Sequence, residues 1–173
     1  TANDTATTEA AYLEVIEAKT AALFAAASRI GAVVADRPPA EEEALERFGR
    51  NLGIAFQLID DMLDFSARQS ELGKSVGDDF RDGKITLPVL IAFARGDTEE
   101  REFWRRTLEE SDQRPGDLER AMRLVEQRGG VAETLRRARS YAEQAAAALA
   151  AFPDGSLRRA LVETTEFATA RGF

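Results

Sequence analysis

Three aspartates, Asp60, Asp61 and Asp64, fall within five positions of the segment FQLIDDMLDF, residues 56–65. Carboxylates one helical turn apart can point the same way, and a hard cation such as Mg²⁺ takes oxygen ligands, commonly one or two carboxylates plus water and phosphate oxygens. At 100° per residue, Gly49, Gly53, Gln57, Asp60, Asp61 and Asp64 share a stripe of roughly 120°, with Asp61 at its edge. The positions outside it are mostly apolar: Leu52, Ile54, Phe56, Leu58, Ile59, Met62, Leu63 and Phe65. The stripe reads either as a solvated polar face or as a cation site. An ordinary exposed face mixes charges and avoids like charges at i,i+4, which favours the cation site and metal-bridged binding of a diphosphate. The two glycines are expected to leave room beside the acids for something bulky.

Basic residues stand in suitable places for that chemistry. Lys19 is the only charged residue between Glu17 and Arg29, and Thr20 follows it. The stretch ARQSELGKSVGDDFRDGKIT, residues 67–86, adds Lys74, Arg81 and Lys84 among Gly73, Gly77 and Gly83. Taken singly, Lys19 reads as a snorkelling side chain and the loop lysines as solvated. Their company with the acidic stripe points to phosphate binding.

The elements that must position these residues read as helices. Seven helical stretches are predicted, over about 8–35, 40–66, 87–96, 98–111, 116–128, 130–151 and 154–170, with no convincing strand. The first carries a helical stripe of Leu13, Ile16, Thr20, Leu23, Ala27, Ile30 and Val34. Residues 67–86 read as a long functional loop. The chain has 173 residues, 31% of them charged, with no cysteine and no histidine. That excludes disulfides, thiolate nucleophiles, a histidine base and the usual zinc ligands. A net charge of −8 argues against nucleic acid as a partner. No apolar run reaches the roughly 20 residues of a membrane span, no signal peptide is evident, and cytoplasm is the expected location.

Three segments carry a family resemblance. YLEVIEAKTAALFAAAS, GRNLGIAFQLIDDMLDF and GKSVGDDFRDGKITLPVLIA resemble the C-terminal half of trans-type polyprenyl diphosphate synthases, especially the long-chain branch, and GGVAETLRRARSYAEQAAAALAAFP resembles the family's later helices. The resemblance implies an all-α isoprenoid-synthase helical bundle, here about seven helices of its C-terminal half. It implies a prenyltransferase that condenses an allylic diphosphate with isopentenyl diphosphate, with Mg²⁺ assisting diphosphate departure. On this resemblance Asp60, Asp61 and Asp64 are the metal-binding aspartates, with Asp60 the foremost ligand. Lys19 and Lys74 grip the allylic diphosphate, Thr20 and Gln57 line the reacting carbon, and Lys84 binds phosphate or pairs with an acid such as Asp78 or Asp79. Homodimerisation is a further implication.

The chain also departs from the family pattern. The family's first DDxxD motif and its Gly-Lys-Arg region are absent from these residues. Residues 1–173 are therefore expected to be the C-terminal portion of a single synthase domain, incomplete without its N-terminal half. The stripe of residues 13 to 34 is expected to be left exposed for that half or for a second copy. The competing readings are a non-catalytic regulatory subunit of a heteromeric synthase and a terpene cyclase of the same fold.

Overall fold

The computed structural model describes residues 2–66 and 76–170. Among them the chain is helical, with one isolated backbone bridge between Ala2 and Lys84. Helix α1 (Glu9–Ile16) runs through a π-helical turn (Glu17–Ala21) into α2 (Ala22–Val34), and α3 spans Pro39–Leu63. A four-residue helix α4 (Asp78–Arg81) precedes α5 (Leu87–Arg95) and α6 (Thr98–Trp104), the last extended by a second π turn (Arg105–Glu109). Then come α7 (Asp117–Gln127), α8 (Gly130–Ala148) and α9 (Ser156–Ala170). No described helix is long and apolar enough to cross a membrane.

The chain divides into two compact units, one of Thr1–Leu13 with Asp60–Leu135, the other of Glu14–Ile59 with Arg136–Phe173. The first has a core built on an aromatic trio. Phe80 stacks on Phe103 at 6.5 Å and meets Trp104 edge-on at 6.3 Å, while Phe103 and Trp104 are 5.2 Å apart. All three are buried. Phe80 belongs to α4, so the polar segment around Asp78 and Asp79 is pinned by an aromatic ring sunk in the core, and buried rings of this size dominate core energetics.

In the second unit, Phe48 and Leu52 of α3 pack with Ala145, Leu149 and Ala168, flanked by Phe24 of α2. Here α2 lies very close to α3. A Cβ added at Gly49 would sit 2.3 Å from the Phe24 carbonyl oxygen, and one at Gly53 would sit 2.7 Å from Ala21 Cα. The space expected to admit a ligand beside these glycines is filled by α2 itself. Arg29 spans from α2 to Glu42 and Glu46 of α3, and Arg50 pairs with Glu17.

The stripe from Leu13 to Val34 is not continuous. Leu23, Ile30 and Val34 are exposed as expected, at 74%, 59% and 78%, but Ile16 is buried at 4%. The intervening π turn inserts a residue, which rotates the downstream side chains by roughly 100°. The buried face accordingly runs Ile16, Ala21, Ala25 and Ala32, small residues that allow the close approach to α3.

Alanine in place of a helical glycine normally stabilises by about 1 kcal/mol. Gly49→Ala should do the opposite, because a backbone carbonyl cannot move aside, and should destabilise by roughly 1–3 kcal/mol. Gly31→Ala, with nothing near its added Cβ, should keep the normal sign. Paired thermal melts of the two variants check this; the same sign for both would refute the close-packing account.

Candidate functional site

Helix α3 carries both Gln57 and the aspartates. Pro39 opens it, Glu41 and Glu42 complement the dipole of its first turn, and Leu52, Ile54, Leu58, Ile59 and Met62 are buried, as the apolar pattern requires.

In the first unit the three aspartates have three different environments. Asp60 is exposed, and its carboxylate makes no hydrogen bond or ion pair among the described residues. Asp61 is only 5% exposed and its Oδ2 accepts a 2.5 Å hydrogen bond from the Tyr12 hydroxyl. Asp64 is half-buried and bonds with both oxygens: Oδ1 accepts from the Asp78 amide at 3.1 Å and Oδ2 from the Asp79 amide at 3.0 Å. Its own carbonyl accepts from the Gly77 amide at 2.9 Å. Gly77, at φ 77°, precedes α4 in the left-handed region, so the Asp64 side chain provides the helix-capping oxygens that Gly77 lacks. Burial pushes the Asp64 carboxyl above its ordinary value, aided by the charges of Asp79 and Asp78 and opposed by the two amides.

Beyond α4, Lys84 Nζ lies 2.9 Å from Asp79 Oδ1 and 3.0 Å from Asp82 Oδ2. The hydrogen bond to Asp79 is the chief reason that its ammonium is raised above the ordinary lysine value. This is the ion-pair alternative for Lys84. Asp78 pairs with Arg81 at 2.6 Å. The chain's first residues brace the same segment, with the Asn3 amide donating to the Gly83 carbonyl at 3.0 Å.

In the second unit, Thr20 Oγ1 donates to Gln57 Oε1 at 2.9 Å, which brings together the two residues that the resemblance sets at the reacting carbon. Both Thr20 and the exposed Lys19 lie in the π turn, a feature that occurs disproportionately at functional sites. Lys19 makes no hydrogen bond or ion pair among the described residues. Lys74 lies outside the described residues.

Among the described residues no three acidic side chains converge as a cation cage. Asp61 and Asp64 are committed to Tyr12 and to α4, so Asp60 is the outward carboxylate. One such ligand fits an ion that keeps several waters and takes substrate oxygens, rather than one held in an all-protein cage. Sequence reasoning missed Tyr12. Its signal was a hydroxyl on the otherwise apolar buried face of α1, where a buried phenol needs a partner.

Asp64→Ala should lower stability by about 1–2 kcal/mol, as for other lost caps. Asp60→Ala should stay within about 0.5 kcal/mol of the parent. Urea unfolding of both variants in chelator tests the difference, and equal losses would contradict these assignments.

Comparison with known proteins gives consistent neighbours. The Polyprenyl synthetase family profile matches residues 1–125. The octaprenyl diphosphate synthase of Escherichia coli is 41% identical over 169 residues, which are 98% of this chain and 52% of that protein. The structure of a decaprenyl diphosphate synthase from Rhodobacter capsulatus superposes with a TM-score of 0.94 at 44% identity, covering 99% of this chain and 53% of that one. A polyprenyl synthase from Caulobacter crescentus, complexed with calcium and isoprenyl diphosphate, gives 0.93 at 48% identity, covering 99% of this chain and 52% of that one. The chain spans about half the length of the curated relatives it matches.

Proposed function

Because this chain belongs to the polyprenyl synthetase family, we propose that it carries one diphosphate-binding side of a trans-prenyltransferase that joins an allylic diphosphate to isopentenyl diphosphate. The observation that carries this reading is the division within the aspartate motif: Asp60 faces outward while Asp61 and Asp64 are held by protein donors. The Caulobacter relative, solved with calcium and isoprenyl diphosphate, supports a cation-and-diphosphate site of this kind.

Asp60 would hold Mg²⁺, with substrate phosphate and water as its other ligands. When bound, the ion supplies Lewis-acid charge to the departing diphosphate. Lys19 and Lys74 would add positive charge on the phosphates. Lys84, engaged by Asp79 and Asp82, would hold the loop in shape. Thr20 donates its only proton to Gln57, so the lone pairs of its oxygen stay available to a carbon gaining positive charge. The apolar walls of α3 would keep water from that carbon. The exposed Leu23, Ile30 and Val34 suit contact with the other half of the enzyme, and the assembled enzyme would work as a cytoplasmic homodimer.

The test is co-expression of this chain with the N-terminal half of a related synthase, followed by a Mg²⁺-dependent assay of radiolabelled isopentenyl diphosphate with farnesyl diphosphate. The pair should be active and the chain alone inactive. Asp60→Ala in the pair should lower turnover by about 10²-fold or more, as loss of a centre that stabilises developing charge does. Activity indifferent to Asp60 would instead favour a regulatory subunit.

A further inference from the structure

Residues 2–5 form a strap on the turn that carries Lys84. Ala2 and Lys84 make an antiparallel backbone bridge, and the Asn3 amide donates to the Gly83 carbonyl at 3.0 Å. The fit is tight. A Cβ added at Gly83 would collide with Asn3 Oδ1 and would stand 3.7 Å from the Leu108 carbonyl oxygen. Gly83 is also at φ 67°, a conformation that glycine adopts without a steric cost. The turn thus borders both the strap and the π turn that follows α6.

One side chain fastens the strap to that π turn. Glu109, its last residue, accepts through Oε1 from the Thr5 amide at 3.0 Å and from the Thr5 hydroxyl. These two donors, the hydroxyl foremost, hold the Glu109 carboxyl below its ordinary value. Thr5 is buried at 8% exposure. Asp4 closes the strap locally: its Oδ1 accepts from the Ala6 amide at 2.9 Å and its carbonyl from the Thr7 amide at 3.1 Å. An extended segment with a single bridge has little stability of its own, so the strap needs a fastening elsewhere. Lys84 is set by the same turn. Its amide donates to the Asp79 carbonyl at 2.8 Å, and its ammonium reaches Asp79 and Asp82.

We propose that Glu109 is a positioning residue: through Thr5 it buckles the strap onto the Gly83–Lys84 turn, and the buckled strap keeps Lys84 on Asp79 and Asp82. The segment that would present charge to a diphosphate is thereby held in one shape. That consequence rests on the function proposed above; the buckle does not.

The full chain is compared as parent, Glu109→Ala and Glu109→Gln, since glutamine keeps an acceptor oxygen for both Thr5 donors. In Glu109→Ala the Asn3 amide, followed by NMR hydrogen exchange, should exchange about tenfold faster, and trypsin should cut after Lys84 faster in proportion. Glu109→Gln should restore most of both. Thr5→Val, which removes only the hydroxyl, should shift both in the same direction by less. Cleavage after Arg128, which follows α7 in the same unit, should stay within about twofold of the parent. Equal acceleration at Arg128 would make Glu109 a general stabiliser and overturn the buckle. An Asn3 amide indifferent to Glu109→Ala, or a glutamine variant no better than alanine, would overturn it too.

Calorimetric titration with inorganic pyrophosphate and Mg²⁺ reads the consequence. Glu109→Ala should lose affinity and Glu109→Gln should regain it. Unchanged affinity in a variant whose strap has opened would sever the buckle from phosphate binding. A parent chain that binds no pyrophosphate would count against the proposed function, while Asn3 exchange and cleavage after Lys84 still decide the buckle.

Discussion

A buried carboxylate must find donors or lose its charge, and that requirement organises the first unit. Asp61 is buried at the edge of the polar stripe on α3, within reach of Tyr12. Asp64, half-buried one turn after Asp60, takes two amides from the start of α4. Each bond that keeps a carboxylate satisfied also ties elements together: Asp61 joins α3 to α1 through Tyr12, and Asp64 holds the start of α4. The aromatic core then anchors the middle of the same segment through Phe80. Lys84 is placed by this anchored segment and by its acids.

The second unit depends on a different constraint, the absence of side chains. Gly49 and Gly53 let α2 approach α3 until backbone and Cβ atoms touch, and the alanines on α2 present a matching flat face. A helix that must meet that face while keeping Ile16 buried needs an extra residue, and the π turn supplies it. Lys19 and Thr20 sit in that turn. The Thr20 hydroxyl meets Gln57 as a consequence of packing one turn away from the glycines.

Most of the architecture was legible from periodicity, because helices with one apolar face leave a 3.6-residue signature. Seven stretches read from the sequence correspond to the long helices, with ends shifted by a few residues. The failures share a cause: each depended on a contact partner remote in sequence. The glycines of α3 looked like space for a ligand because nothing local names α2 as the occupant. The stripe from Leu13 to Val34 looked continuous because a period of 3.6 assumes no inserted residue. α4 was hidden in a polar loop, being four residues long and held by Asp64 and by Phe80 in the core. The pairing of Thr20 with Gln57 came from family resemblance, since two residues 37 apart carry no mutual signal.

Three like charges in five positions of one helix repel, and two of them make bonds that a neutral amide could also make. An asparagine at 61 would still accept from Tyr12, and one at 64 would still accept from an α4 amide. What the carboxylate adds is negative potential. Held a turn or less from Asp60, the two charges deepen the negative potential at the exposed carboxylate. The repulsion within the motif is offset locally, by a phenol and two amides. An exposed carboxylate backed by two fixed charges carries the negative potential and open side that a hard divalent cation, which keeps several of its waters, would require.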